Sequence, residues 1–492
     1  MGNIAKQSYK GTIYTYLGII LGFITTGLLF PSILTPEQIG LISIILAYAT
    51  IFGQAANMGF QVVLTRFFPY FKDEKKGHNG LFFVALLITS VGLIIACLIL
   101  FFLKDTLVKD NALLSQFYIF LYGFAISFGL FILFDQYCKV LFNATLGIML
   151  KEVVQRILIL LSLLFLYFQW ISFDAFVSLY AAIYFLLPFI LLLFLLKEKQ
   201  FFITPDFSKF TPDFVREIIP ISLFGILTSF AGMITINIDK IMIERYTGLE
   251  MTGIYTIAFF FGGLIRVPSR PILKISSIHI AECWKKNNRK EITAIYNKSS
   301  MIQFVIGMLT LIGLWANIDN IFRILPDTFG VGRYVILLIG LSMIFEVLTN
   351  TASRIVAYSK YYKAQALMLV VFIVLIVITN MIFIPLYGIV GAAISSLLSR
   401  ILFSAIRYVY VLYKFGMQPL NYKYLIILVV SLGSYFITLL LPYLNLLVID
   451  VLLRSILVVI VYVPLLYYLK VSEDLNRQLE ELLVKIGISF RT

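Results

Sequence analysis

The sequence predicts an all-α polytopic membrane protein of 14 transmembrane helices, and three observations predict it. Fourteen apolar stretches, each about long enough to cross a bilayer, account for nearly all of the 492 residues. Of those residues 61% are hydrophobic and only 13% charged, so no soluble domain of useful size is left over. The loops between the stretches are mostly short. A helix rising 1.5 Å per residue needs about 20 apolar residues to cross the ~30 Å hydrocarbon core, and backbone groups in lipid must be bonded within their own segment.

Lys6 and Lys10 precede an apolar run that is too long for a signal-peptide core and has no small-residue cleavage pattern, so Gly11 to Leu34 is expected to remain as the first span. Spans two to seven are expected at Gly40 to Thr65, Gly80 to Leu103, Leu113 to Phe134, Val153 to Phe168, Phe173 to Leu196, and Glu217 to Ile238. Spans eight to fourteen follow at Gly248 to Val267, Ser299 to Ala316, Tyr334 to Asn350, Ala364 to Pro385, Gly388 to Val409, Tyr422 to Leu441, and Leu446 to Leu469. Between spans six and seven, KEKQFFITPDFSKFTPDFVR (Lys197 to Arg216) is charged and carries two Thr-Pro pairs, which break helices. It divides an N-terminal lobe (1–210, spans one to six) from a C-terminal lobe (211–415, spans seven to twelve), with spans thirteen and fourteen appended (416–470). WKKNNRKEITAIYNKS reads as a solvated helix leading into span nine. The tail (471–492) starts at a Ser cap and repeats apolar residues at Leu475, Leu479, Leu482, Leu483 and Ile486, the spacing of an amphipathic helix lying on the inner membrane surface.

Charge sets the orientation. With both termini cytoplasmic, only Lys104, Lys109, Lys240, Arg245, Arg323 and Arg333 of the 39 Lys and Arg fall in outer loops. Acids such as Asp105, Asp110, Asp239, Glu244 and Asp327 balance them there, so the net charge of +14 belongs to the inner face, where it meets anionic lipid rather than nucleic acid. Cys97, Cys138 and Cys283 stand far apart, and with two histidines for company they form neither a disulfide framework nor a metal site. No nucleotide-binding glycine loop, GxSxG elbow or metal motif is present, so no cofactor is expected.

Transporters often duplicate a bundle, and one trace of duplication survives. TPEQIGLISI (Thr35 to Ile44) and GLEMTGIYTI (Gly248 to Ile257) share E-x-x-G-x-x-[ST], as Glu37, Gly40, Ser43 and Glu250, Gly253, Thr256. Both follow the first span of a six-span unit. With an even span count the copies would run in the same direction.

LLFPSILTPEQIGLISIILAYATIFGQAANMGFQVVLTRFF resembles the opening two helices of bacterial polysaccharide flippases, which serve O-antigen, capsule and exopolysaccharide synthesis within the multidrug, oligosaccharidyl-lipid and polysaccharide exporter superfamily. INIDKIMIERYTGLEMTGIYTIAFFFGGLI and NMIFIPLYGIVGAAISSLLSRI are similar to the same family, and the resemblance runs over essentially the whole chain. It implies two six-helix lobes around a central cavity in the bacterial inner membrane. It also implies alternating access that carries an undecaprenyl-diphosphate-linked glycan from inner to outer leaflet, beside the glycosyltransferases and polymerase of the same pathway.

Such a cargo needs a wet, basic cavity, because isolated charge is costly in the membrane. Gln54, Asn57, Gln61 and Thr65 run at helical spacing down span two to Arg66, and Gly225, Ser229, Gly232, Thr235 and Asp239 make a comparable stripe in span seven. The stripes either line the cavity or let helices approach closely. Arg66, Arg156, Arg266 and Arg270, near inner span ends, are candidate diphosphate ligands or snorkelling anchors. Glu346, Arg400 and Arg454 lie deeper, roughly 10 to 20 Å from the outer ends of spans ten, twelve and fourteen. Glu346 either pairs with Arg400 or Arg454, or titrates and couples transport to H+ or Na+, a role for which Asp239 is the second candidate. A lipid II flippase and a drug or cation antiporter of the superfamily are alternative functions. A membrane-embedded polymerase or acyltransferase is disfavoured, because both histidines fall in inner loops and the outer loops are short.

Overall fold

The computed structural model describes residues 2–109 and 111–485, and among these every regular element is helical. Asp110 and Ile486 lie outside the described residues, as do the side chains of Lys6, Leu479, Leu482 and Leu483. Two compact units form, Met1–Ile257 and Ala258–Thr492.

The first unit begins with α1 (Gly2–Gly22), which continues through a π-helical turn (Phe23–Leu29) into α2 (Phe30–Ile33). Thr35 then opens α3 (Pro36–Ala56) with a capping box: its hydroxyl accepts the Gln38 N–H at 3.3 Å while Gln38 Oε1 accepts the Thr35 N–H at 3.0 Å. Next come α4 (Phe60–Phe71), α5 (Leu81–Leu107), and α6 (Ala112–Val140), capped by Asn111. They are followed by α7 (Thr145–Met149), joined through a π-helical turn to α8 (Gln155–Tyr167), and by α9 (Phe173–Lys197), capped by Ser172. Residues 198–211 are not helical, as the Thr-Pro pairs predict.

α10 (Pro212–Gly263) spans 52 residues in two helical halves that meet at Gly248, whose φ of +86° is costly for any residue with a Cβ. The break corrects the expected outer loop, because Asp239, Lys240, Glu244 and Arg245 lie on the helix before it. α11 (Ser269–Lys285) leads to α12 (Arg289–Ala316), capped by Asn288, then α13 (Ile318–Ile324) and α14 (Arg333–Tyr358). The basic stretch before span nine is therefore largely helical, and His279 sits on α11 rather than in a loop. α15 (Tyr362–Phe415) repeats the device of α10, with its break at Gly388, φ +56°. α16 (Lys423–Thr438), α17 (Leu447–Tyr468) and α18 (Glu473–Lys485) complete the second unit, and Ser472 caps α18 as its sequence predicts.

Ten helices among the described residues are long and apolar enough to cross a bilayer, and α10 and α15 lie in stretches of 55 and 54 residues, each more than one crossing requires. Large apolar side chains on outward faces, such as Leu98 and Phe102 on α5 and Val459 and Ile460 on α17, stay exposed because lipid is their solvent. Inside the first unit small residues set the spacing: a Cβ added at Gly53 would lie 2.8 Å from the Ala125 carbonyl oxygen of α6. The repeated motif has a structural role here. A Cβ at Gly40 would overlap the Leu249 carbonyl oxygen, and one at Gly253 would overlap the Pro36 carbonyl oxygen, so each copy's glycine lies against the start of the other copy's helix.

Candidate functional site

The expected stripe on span two is not continuous. The helix breaks over Asn57, Met58 and Gly59, with Met58 and Gly59 both at positive φ, so residues before and after the break face different neighbours. Asn57 is buried and donates to the carbonyls of Gly53 (3.0 Å) and Gly129 (3.2 Å) while accepting from Thr89 (3.3 Å). It satisfies the break and is not open to a ligand. Gln54 is also buried, and its Nε2 has no hydrogen-bond partner among the described residues. Gln61, past the break, donates to Ser229 Oγ at 2.5 Å, tying α4 to the small and polar stripe of α10. On the same helix Asn237 donates to Thr50 Oγ1 (3.2 Å), and Asp239 of the stripe accepts from the Tyr255 hydroxyl (2.8 Å).

Arg66 is mostly exposed, with Glu217 at 4.0 Å and its guanidinium 5.6 Å from the Phe67 ring centre. Arg156 pairs with Glu152 at 3.1 Å and lies so close to the helix carrying Gly22 that a Cβ there would overlap it. Arg270 is exposed at the start of α11.

The second unit holds the main constellation. Glu346 on α14 accepts from Arg266 Nη1 at 3.2 Å through one oxygen and from Arg400 Nη1 through the other. Arg407 stands two turns past Arg400 on α15, on the same helix face, with its guanidinium 3.9 Å from the Phe403 ring centre; Arg400 stands 5.8 Å from that of Phe372. Both Nε atoms, of Arg400 and of Arg407, are buried and lack hydrogen-bond partners among the described residues. One carboxylate among three guanidiniums leaves a local surplus of positive charge in a poorly solvated place. Thr349 and Ser404 (3.1 Å) and Thr379 and Ser399 (2.8 Å) add hydroxyl pairs to the facing helices. This arrangement can attract and hydrogen-bond a multiply charged anion, because guanidinium groups match phosphate oxygens and are weakly hydrated.

Sequence reasoning named Arg266, Glu346 and Arg400 and missed Arg407, although the spacing of seven from Arg400 marks a shared helix face. Arg454 is not part of the constellation. Its Nε bonds Asp450 at 2.8 Å, its Nη1 the Thr438 carbonyl, and its Nη2 the carbonyls of Leu441 and Pro442, while Asn320 donates to Asp450 at 2.6 Å. With side chains 3% and 2% exposed, Arg454 and Asp450 fasten the first turns of α17 to the end of α16. Among the described residues no group of three His, Cys, Asp or Glu side chains is placed to hold a metal ion.

A family model described as "Polysaccharide biosynthesis protein" matches residues 8–278. No curated protein matches the chain by sequence. Among solved structures, the chain is similar to the lipid II flippase MurJ in an inward closed conformation, with a TM-score of 0.74, 14% identity, and coverage of 94% of this chain and 98% of that one. It is also similar to a multidrug resistance MATE family transporter of the MOP superfamily in an inward-facing conformation, with a TM-score of 0.66, 13% identity, and coverage of 82% of this chain and 94% of that one. At these identities the likeness is one of fold.

Proposed function

We propose, because the chain belongs to the polysaccharide biosynthesis protein family, that it is a flippase rather than an enzyme. In this reading it carries an undecaprenyl-diphosphate-linked oligosaccharide repeat unit from the inner to the outer leaflet of the bacterial cell membrane by alternating access. The observation that carries the reading is the Arg266–Glu346–Arg400 constellation with Arg407 beside it: a buried surplus of positive charge suits a diphosphate and repels a cationic drug. The lipid tail stays in the bilayer, so the protein must host only the head group. Counting α10 and α15 as two crossings each, and adding the α7–α8 helix and α16, gives 14 spans with both termini cytoplasmic. That topology puts the surplus of Lys and Arg on the cytoplasmic side, where the glycosyltransferases deliver the cargo, and the polymerase receives it outside.

In this scheme Arg66 and Arg266 guide the diphosphate, Arg156 and Arg270 anchor inner head groups, and Glu346, with Asp239 second, is the group through which H+ or Na+ would couple. The test is movement of a fluorescent undecaprenyl-diphosphate oligosaccharide in proteoliposomes, with lipid II as a parallel cargo. Protein-dependent movement that falls at least tenfold in Arg266→Ala and Arg400→Ala supports the reading. Movement of lipid II alone would reassign the cargo, and movement of neither would withdraw the function. Transport and pH dependence unchanged in Glu346→Gln would remove Glu346 from coupling.

A further inference from the structure

In the second unit the α11–α12 and α14–α15 connections and the end of α15 converge on one cavity of about 290 Å³. Arg289, Lys360 and Lys414 line it over a floor of Trp284, Tyr361 and Phe415, and none of the described residues lining it is acidic. Both lysine Nζ atoms stand over the Tyr361 ring, at 5.3 Å and 4.7 Å from its centre, and none of the three cations has a carboxylate within ion-pair distance among the described residues. Trp284 packs on Phe415 at 5.3 Å and donates to the Ile355 carbonyl at 3.1 Å, which fixes the floor. Three uncompensated cations around a rigid aromatic floor favour a phosphate-bearing anion.

The cavity has a neighbour. An apolar groove of about 590 Å³ runs between the two halves of α15, lined by Val371, Leu375, Leu402, Ala405, Ile406 and Tyr410. Tyr413 also lines it, and the next residues, Lys414 and Phe415, line the cavity, so groove and cavity reach the same last turn of α15. A free phosphate would use the cations and leave the groove bare. A phospholipid matches both, with its charge at the helix end and a chain along the helix.

We propose that this pocket and groove form a binding site for an anionic phospholipid, whose headgroup phosphate is held by Lys360, Lys414 and Arg289 and whose acyl chain lies between the halves of α15. The site pins the ends of three helices together and is separate from the proposed cargo constellation.

Trp284 is a built-in reporter, because the chain has only 3 Trp. In a full-length Trp170→Phe/Trp315→Phe protein in nanodiscs, phosphatidylglycerol brominated on its acyl chains should quench Trp284 at a mole fraction about thirtyfold lower than brominated phosphatidylcholine, the preference expected of two lysines near a lipid surface. Lys360→Gln/Lys414→Gln should erase most of that preference, and Lys360→Arg/Lys414→Arg should keep it. Equal quenching by the two lipids, or a preference that survives the Gln pair, overturns the proposal. A saturable response to pyrophosphate in lipid-free micelles, with no lipid preference in nanodiscs, would assign the pocket to a soluble anion and also overturn it. Ala405→Phe, which fills the groove and leaves the cations in place, should weaken quenching by the brominated chain; if quenching is unchanged, the chain does not lie there and the proposal fails.

Discussion

Replacing Glu346 by Gln removes the only carboxylate bonded to Arg266 and Arg400 among the described residues and leaves their guanidiniums facing an uncharged amide. At 3.2 Å the attraction to Arg266 is about 5 kcal/mol for an effective dielectric of about 20. The Arg266 side chain is 34% exposed, so water screens that pair, whereas Arg400 is only 7% exposed and has no such relief. Breaking a buried pair by removing one partner costs about 3–5 kcal/mol, because the remaining charge stays desolvated. For a unit of this size each kcal/mol moves Tm by about 2–4 °C, so Glu346→Gln should lower Tm by roughly 6–20 °C. The measurement is thermal unfolding of the detergent-solubilised protein, followed by intrinsic fluorescence. Glu346→Gln/Arg400→Gln should recover about 1–3 kcal/mol relative to the sum of the single losses, since the second change removes the stranded charge. A single-variant shift below about 3 °C, or strict additivity in the double variant, would show that Glu346 does not neutralise these arginines, and the description of the constellation would fall.

Three further outcomes follow from the fold. Asp450→Asn should cost about 3–5 kcal/mol in the same melt, because it strands Arg454 between backbone carbonyls; a loss under 1 kcal/mol would count against the fastening of α16 to α17. Gly248→Ala and Gly388→Ala should each cost about 1–2 kcal/mol by backbone strain alone, since an added Cβ meets nothing within 4 Å at either position, and the two losses should add. Gly253→Val should cost at least about 1–3 kcal/mol, because it presses a side chain onto the Pro36 carbonyl; a neutral result would mean that the two motif copies do not touch.

Much of this was legible in the sequence, for identifiable reasons. Apolar length and helix-breaking Thr-Pro pairs marked most helices, and the expense of charge in lipid marked Glu346 and Arg400 as partners. Asp450 was equally legible as the partner of Arg454, four residues away on the same helix, but a search for partners between spans passed over it. Gln54, Asn57 and Gln61 were misplaced on one face because only Asn57 and Gly59 hinted at the break, and a side chain that closes a break has the same sequence signature as one that lines a cavity. The outer connection of α10 was placed too early, because the charges of Asp239 to Arg245 suggested a loop while the turn itself needed only one glycine. Which cations share a pocket could not be read at all, since Arg289 at the start of α12, Lys360 between α14 and α15, and Lys414 near the end of α15 meet only through packing.

The paired glycines of the repeated motif make a contact that is unchanged when its partners are exchanged, the property of an isologous interface between identical subunits. It is built from main chain on both sides. There is no rotamer to turn and no side chain to stretch, so a bulkier residue at either glycine must be accommodated by moving main chain at the start of α3 or of the second half of α10. The closeness of the two helix starts is thus set by two hydrogen atoms where any other residue would carry a Cβ.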